Sequence, residues 1–404
     1  MNEPHAAMTT SPTPFQVLAV IPARGGSKGV PRKNVMPMAG EPLLAHIVRA
    51  ARQAATLTRV VVSTDDAEIA GVAQRYGAEV VWRPADISGD TATSEQALLH
   101  ALDHLRQAEG YVPDILVYLQ CTSPLTMAED IDGVVDALIR SGADTALAVM
   151  PFHYFIWHGP CDDAAGVNHM KLVRPRRQDR EAQYLEAGAV VVMRVPGFLK
   201  EQLRFYGRTA LYEMPPERCL EIDEPADVLI AEARLRERLK HTPLAALPSR
   251  PSAVVFDFDG VFTDNKVYVS ETGAEMVACS RSDGFGLAEL RALGLPLLVL
   301  STEVNPVVEQ RCRKLNVPCL SGQTDKALAL GKWLEENKLE PLSVIYVGND
   351  INDLGCLRLV GGPVAVADSV PEVLRAARLV LRAPGGQGAV RELCRLVAAR
   401  LAGQ

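Results

Sequence analysis

Two carboxylates spaced two positions apart are the strongest chemical signal in this chain. Residues 254–265 read Val-Val-Phe-Asp-Phe-Asp-Gly-Val-Phe-Thr-Asp-Asn, so an apolar run leads straight into Asp257 and Asp259. In a strand, i and i+2 point to the same side, and both acids can then face one Mg2+ and one phosphate. Gly260 lets the backbone turn away behind them. Three more groups follow in order. The apolar run Leu295–Leu300 ends at Ser301 and Thr302, hydroxyls suited to phosphate oxygens. Lys326, in Gly-Gln-Thr-Asp-Lys, supplies a fixed positive charge. The run Ser343–Val347 ends in Gly348-Asn349-Asp350-Ile351-Asn352-Asp353, which brings further carboxylate to a metal. Mg2+ prefers oxygen ligands and keeps waters, and a carboxylate nucleophile can form an acyl-phosphate that water cleaves. This is a kit for phosphoryl transfer.

A second constellation lies near the amino terminus. Residues 17–34 read Val-Leu-Ala-Val-Ile-Pro-Ala-Arg-Gly-Gly-Ser-Lys-Gly-Val-Pro-Arg-Lys-Asn. An apolar strand runs into a Gly-rich loop with four basic residues within ten positions. Exposed backbone N–H groups beside Arg and Lys suit a triphosphate. The spacing is neither Gly-x4-Gly-Lys-Ser/Thr nor Gly-x-Gly-x-x-Gly, which excludes an ATPase P-loop and the dinucleotide fingerprint.

The elements that position these groups alternate. Strands are predicted at 16–22, 59–64, 79–82, 114–120 and 144–149, with helices at 42–55, 66–76, 93–108 and 129–141. That pattern predicts a parallel sheet wound by helices, with ligands at the carboxyl ends of strands. Residues 225–240 read as a charged amphipathic helix. Residues 242–252 carry three prolines, which cannot continue it. The expected organisation is a disordered start at 1–14, one α/β domain over 15–241, a linker at 242–252 and a second α/β domain over 253–404. The fold class is α/β, with two Rossmann-like three-layer domains. A chain of 404 residues fits two domains.

The first 14 residues lack the apolar core of a signal peptide, and no apolar run reaches membrane-spanning length. The formal net charge of −7 argues against nucleic-acid partners. Cysteines at 121, 161, 219, 279, 312, 319, 356 and 394 contain no Cys-x-x-Cys pair. Reduced thiols in a cytoplasmic protein are expected. His46, His100 and His104 fall on predicted helices and read as surface or interface residues.

The carboxyl-terminal constellation resembles the haloacid dehalogenase phosphatases. That resemblance implies Asp257 as nucleophile and Asp259 as general acid/base. It implies Ser301, Thr302 and Lys326 on the phosphoryl group, and Mg2+ held by Asp257, Asp350 and the carbonyl of Asp259. Residues 253–395 are similar to the small cap-less phosphatases of sugar acids. The matching residues are Tyr268-Val269-Ser270, Ser282-Asp283-Gly284, Ala367-Asp368-Ser369 and Gly385-Gly386-Gln387-Gly388-Ala389-Val390-Arg391-Glu392. In that family a neighbouring subunit covers the site, so a homotetramer through this domain is implied. Glu303, Arg311 and Lys314 resemble the variant that contacts nine-carbon acids.

The run Ala23–Asn34 resembles the cytidylyltransferases that make CMP-sialic acids. Further matches are Ser63-Thr64-Asp65, Arg83-Pro84-Ala85-Asp86, Asp90-Thr91-Ala92-Thr93-Ser94, Leu119-Gln120-Cys121-Thr122-Ser123-Pro124-Leu125, Arg174–Arg180 and Glu221-Ile222-Asp223. The resemblance implies that Arg24, Gly25, Gly26, Ser27, Lys33 and Asn34 bind CTP, with Arg83 and Ser94 beside the nucleotide. Arg24 and Lys33 act on the departing pyrophosphate. Gln120 faces the sugar, and Arg176 and Arg177 face its carboxylate. Asp223, with Glu221, holds Mg2+. The chain departs from the family at Glu221, usually Asp, and at Tyr184-Leu185-Glu186-Ala187-Gly188-Ala189, which lacks the usual Asn before glycine.

Together the resemblances cover residues 16–240 and 253–395. They imply a bifunctional enzyme that removes phosphate from a nine-carbon sugar acid 9-phosphate and then transfers CMP from CTP to the freed acid. Vertebrate CMP-sialic acid synthetases share the two-domain order but lack part of the phosphatase acid set. One alternative is a cytidylyltransferase whose second domain only assembles the tetramer. Another is an octulosonate-pathway enzyme.

Overall fold

The computed structural model describes residues 15–26, 29–89 and 91–403. The expected disordered start at 1–14, and Ser27 of the nucleotide-binding set, lie outside the described residues. Among the described residues no helix is long and apolar enough to cross a membrane. The chain divides into two compact units, with residues 15–36 and 42–231 in the first and 37–41 and 232–403 in the second.

In the first unit, β1 (Val17–Pro22) is apolar along its length and buried on both faces. Only a central strand covered on both sides can accept such a sequence. Around it lie α1 (Leu43–Gln53), β2 (Arg59–Thr64), α2 (Ala67–Arg75), β3 (Glu79–Trp82), α3 (Ser94–Glu109), β4 (Ile115–Leu119) and α4 (Ala128–Ser141). They are followed by β5 (Thr145–Phe152), β6 (Gln183–Arg194), α5 (Val195–Glu201) and β7 (Thr209–Glu213). The sheet order is β7-β5-β6-β4-β1-β2-β3. Ile21 and Val62 face Ile47, Ile69 and Val134 on one side. Val20 and Val61 face Leu98 and Leu102 on the other. Caps fix where the helices begin. Asp66 accepts from the Glu68 and Ile69 N–H groups, and Thr93 and Gln96 form a capping box that starts α3.

The sheet is not wholly parallel. β6 runs antiparallel to both β4 and β5. The period of its sequence is broken where the β5–β6 register shifts between Glu186 and Val191, and Gly188 lies in that break at φ +67°. A bulge of this kind bends a strand and re-aims its residues. It also hides the strand from a reading based on alternation.

α6 (Pro225–His241) leads to the second unit. There Ala246 and Leu247, from the proline-rich stretch, are buried in the core. The second sheet is parallel throughout. Its strands are β8 (Ala253–Phe256), β9 (Leu297–Leu300), β10 (Cys319–Leu320), β11 (Val344–Gly348), β12 (Gly362–Ala365) and β13 (Leu379–Val380), ordered β10-β9-β8-β11-β12-β13. α7 (Asp283–Ala292), α8 (Pro306–Leu315) and α12 (Ala389–Leu401) cover one face, with Leu287, Val308 and Val390 packed on Phe256 and Val299. α9 (Lys326–Glu336), α10 (Leu354–Leu359) and α11 (Pro371–Ala376) cover the other, with Leu330, Leu357 and Val373 on Val255 and Leu298. The carboxyl ends of the adjacent strands β9, β8 and β11 bring Ser301, Asp257 and Asn349 to one edge of the sheet.

Candidate active sites

Asp257 follows the last residue of β8 and is buried. Its Oδ1 lies 2.7 Å from Lys326 Nζ, and Lys326 also reaches Asp353 Oδ1 at 2.8 Å. Asp353 is saturated. Its Oδ1 also accepts from the Tyr346 hydroxyl at 2.7 Å, and its Oδ2 accepts the backbone N–H groups of Asn349 and Asp350. Four donors thus converge on one carboxylate. Burial and the nearby Asp353 charge push the Asp257 carboxyl well above the usual carboxylate range, and Lys326 offsets only part of this. Burial opposes the Lys326 ammonium, but the two carboxylates outweigh it and hold the group above its ordinary value. Two buried acids thus share one buried cation.

Asp259 is raised by burial and by the charge of Glu303, against the pull of Lys326. A carboxyl held above its ordinary value is suited to giving and taking a proton near neutral pH. Ser301 is buried at the end of β9, and its hydroxyl accepts the Glu303 N–H at 3.0 Å. Thr302 beside it is exposed. Glu303 folds back on the turn, accepting from Val304 and Asn305. Arg311 donates to the Ser280 carbonyl at 2.8 Å, and Lys314 on the same helix is exposed.

With the Asn349 amide turned so that its nitrogen faces acceptors, that nitrogen spans two oxygens, Asp257 Oδ2 at 3.2 Å and the Asp259 carbonyl at 2.9 Å. Gly260, at φ +77°, permits this approach, since an added Cβ would run into that amide. Asp350 opens the next turn, with its Oδ1 accepting the Ile351 N–H at 2.7 Å. Two oxygens that one nitrogen can span can also be spanned by a small hard cation, so the residues fit Mg2+. Among the described residues no three His, Cys, Asp or Glu side chains are placed to hold a metal. The donor set that fits is two carboxylates and a main-chain carbonyl.

In the first unit, the loop after β1 is tied to its neighbours. Arg24 Nη1 donates to the Gly89 carbonyl at 2.8 Å, and Asn34 Nδ2 donates to the Arg24 carbonyl at 2.9 Å. Gly25 N–H donates to Asp65 Oδ1 at 3.0 Å. A Cβ at Gly25 would press on the Asp66 side chain, while Gly26 has open space. Arg83 is buried and donates to the Ser63 carbonyl at 2.6 Å. Burial lowers its pKa against the pull of Asp65, and Arg24 is close enough to add repulsion. Arg24, Asp65 and Arg83 therefore share one strand-end surface.

Lys33 crosses to the 221–223 turn. Its Nζ donates to the Ile222 carbonyl at 2.5 Å and lies 3.5 Å from Asp223 Oδ1. Glu221 accepts from Gln120 and from Thr122 at 3.1 Å. Its carboxyl is raised by burial and by Asp223. Gly188, in the β6 bulge, faces Glu221 and Gln120, and a Cβ there would press on Glu221 Oε2 at 2.8 Å. Ser94 meets the Tyr118 hydroxyl at 3.2 Å, and Tyr118 feels the Glu221 charge. Lys33, Gln120, Gly188, Glu221 and Asp223 form one group, with Ser94 at its margin. Arg176 and Arg177 stand elsewhere. Arg176 pairs with Asp179, and Arg177 joins Arg180, His153 and Tyr184 around a cavity of about 170 Å³.

The sequence reading takes the 348–353 run only as carboxylate for a metal and gives Tyr346 no role, whereas Asp353 is engaged by Lys326 and Tyr346. Tyr346, Asn349 and Asp353 build the surroundings of Asp257. The signal was available in the Asp at i+3 from Asp350 and the polar Tyr inside an apolar strand. Arg32, one of the four clustered bases, turns instead to Asp66 and Glu68 at the start of α2.

A cytidylyltransferase family model matches residues 18–219, and a haloacid dehalogenase-like hydrolase model matches residues 313–392. The 3-deoxy-D-manno-octulosonate 8-phosphate phosphatase KdsC of Escherichia coli (strain K12) is 35% identical over 145 residues, 36% of this chain and 77% of that protein. The fold and sites thus define a cytidylyltransferase domain joined to a haloacid dehalogenase-like phosphatase domain. N-acylneuraminate cytidylyltransferase A of Danio rerio is 31% identical over 386 residues, 93% of this chain and 87% of that protein. The chain belongs to the N-acylneuraminate cytidylyltransferase family. It is also similar to a crystal structure of a HAD family hydrolase from Streptomyces avermitilis MA-4680, 50% identical over 37% of this chain and 87% of that chain, with a TM-score of 0.37.

Proposed function

We propose that the chain catalyses two consecutive reactions: hydrolysis of a nine-carbon 2-keto-3-deoxy sugar acid 9-phosphate, then transfer of CMP from CTP to the freed acid. The observation that carries the first step is the complete buried set of Asp257, Lys326 and Asp353 with Asp259 raised beside it. An Asp257 carboxylate oxygen attacks phosphorus, and the sugar oxygen leaves with a proton from Asp259. Asp259 then takes a proton from the water that attacks the acyl-phosphate, which releases phosphate and restores both acids. Ser301 and Lys326 hold the phosphoryl oxygens. Asp257, Asp350 and the Asp259 carbonyl would hold Mg2+, which offsets phosphate charge when bound.

In the second step the anomeric hydroxyl attacks the α-phosphorus of CTP and pyrophosphate leaves. Positioning and charge neutralisation dominate such a reaction. Arg24 and Lys33 offset the phosphate charge, with Gly25, Gly26, Asn34, Arg83 and Ser94 about the nucleotide. Gln120 contacts the sugar, and Arg176 and Arg177 are assigned to its carboxylate. Glu221 and Asp223 are the acids for a second Mg2+. Glu303, Arg311 and Lys314 contact the sugar acid at the phosphatase site. A homotetramer through residues 253–404 would cover Asp257, and solution scattering reads that directly.

The testing experiment is product analysis with CTP, Mg2+ and a panel of nine-carbon acids, each with and without the 9-phosphate. Phosphate release from the 9-phosphates, followed by CMP-sugar formation, supports the proposal. CMP transfer without any phosphate release would make the second domain an assembly module.

A further inference from the structure

One edge of the second sheet carries a cavity of about 1130 Å³, and none of its lining residues belongs to the sites described above. Its walls are the carboxyl half of α6, the edge strand β13 with the residues that follow it, and α12, all within the second unit. One wall is apolar. Leu379 and Leu381 are buried in the core, and Leu239 and Leu396 pack against it from the two helices. The other wall is basic, in a chain whose net charge is −7. Part of that charge is committed to the fold. Arg236 binds Glu232 and the Arg375 and Ala377 carbonyls, and Arg378 binds Glu41 and the Ala245 carbonyl. Lys240 and His241 share Glu237.

Arg382, Arg391 and Arg395 differ from these. Among the described residues their guanidinium groups make no hydrogen bond or ion pair, although all three line the cavity. The neighbouring acid does not neutralise them, because the Glu392 carboxylate accepts the Arg382 and Ala383 N–H groups. Arg391 and Arg395 are four apart on α12 and so share one face, where like charges repel and cost helix stability. The Arg391 stem is fixed against α7, since a Cβ at Gly286 would stand 3.3 Å from its Cδ. An anion held between these groups offsets the repulsion, and guanidinium matches phosphate in bidentate geometry.

We propose that this cavity binds a nucleoside phosphate. Arg382, Arg391 and Arg395 take the phosphate oxygens, and the leucine wall takes the face of the base. The two walls together select this class. Inorganic phosphate or pyrophosphate would leave the apolar wall bare, and a sugar phosphate would offer it hydroxyls. The space suits a whole small molecule, for which pockets usually enclose about 300–1,000 Å³. This site goes beyond the two-step reading above and does not depend on it.

The test is equilibrium dialysis of the full chain with CTP and Mg2+, without sugar acid. Two CTP per chain are expected, one at the amino-terminal loop and one in the cavity. Arg382→Ser combined with Arg395→Ser should weaken the cavity site about a hundredfold, about tenfold for each charged donor lost. Both side chains are exposed, so the unfolding midpoint of the ligand-free variant should be no lower than that of the parent. Arg24→Ala should weaken the other site alone. In that variant inorganic phosphate should compete with CTP at least about tenfold more weakly than CTP binds, because it buries no apolar surface. If the amino-terminal loop holds no CTP, a single CTP per chain that the double variant loses still supports the cavity site. Unchanged CTP binding in the double variant, or inorganic phosphate that binds the cavity as tightly as CTP, would overturn the proposal.

Discussion

Replacing Lys326 with methionine tests the electrostatics of the buried cluster without reference to any substrate. Lys326 is 2% exposed and is the ammonium that both Asp257 and Asp353 contact, at 2.7 and 2.8 Å. Methionine fills a similar volume but leaves two buried carboxylates uncompensated. Removing one partner of a buried ionic group costs about 3–5 kcal/mol. For a domain of this size, one kcal/mol shifts the unfolding midpoint by about 2–4 °C, so the loss should be about 6–20 °C. Trp333 on α9 reports this unit, and the exposed Trp82 and Trp157 can be changed to phenylalanine so that fluorescence follows it alone. The deficit should depend on pH, measured with chelator present. The folded pKa of Asp257 is already raised, and loss of Lys326 raises it further. A raised carboxyl is penalised when ionised and relieved as pH falls through its folded value. The deficit should be largest near pH 9 and shrink toward pH 6. A midpoint within a degree or two of the parent at pH 9, or a deficit that grows on acidification, would refute this reasoning.

Asp283 is fully buried, accepts the Arg391 N–H, and has its Oδ2 without a partner among the described residues. Burial, opposed by that bond and by Arg311, pushes it up to about 6. Its ionised form should cost about 1–3 kcal/mol, allowing for screening. Asp283→Asn should therefore be as stable as the parent or more so at pH 8, and should flatten the gain in stability as pH falls from 7 to 4. Retention of that slope in a urea titration would contradict this. Arg24→Ala should lower CMP transfer by about 10²–10³ at saturating CTP, the typical loss for one preorganised charged donor. Asp223→Ala should remove most transfer together with its Mg2+ dependence. Both variants should keep phosphate release, as measured with a colorimetric phosphate assay.

The fold was legible where one signal governed each element. The runs 17–22, 60–62 and 115–119 are apolar on both faces, and Asp66, Thr93 and Gly110 mark helix ends by side-chain chemistry or positive φ. β6 was not legible, because its bulge at Gly188 breaks alternation and its antiparallel partners are set by the sheet rather than by the strand. The positions of Asp257, Ser301 and Lys326 followed from strand ends and spacing. The role of Asp353 did not. Its four donors come from the strand, the turn and α9, and no local pattern states that they converge. Arg32 shows the reverse case. It belongs to a basic run, yet the acids at the start of α2 claim it once the loop is folded.

The most direct measurement of the central claim follows both products in one reaction. The full chain would be supplied with CTP, Mg2+ and a nine-carbon sugar acid 9-phosphate, in parallel with Asp257→Asn. The account predicts that the parent releases phosphate and then forms the CMP-sugar. The variant should release none and make no CMP-sugar from the 9-phosphate, but should still make it from the free acid. Equal phosphate release by Asp257→Asn, or CMP transfer to the 9-phosphate with its phosphate retained, would contradict the two-step reading.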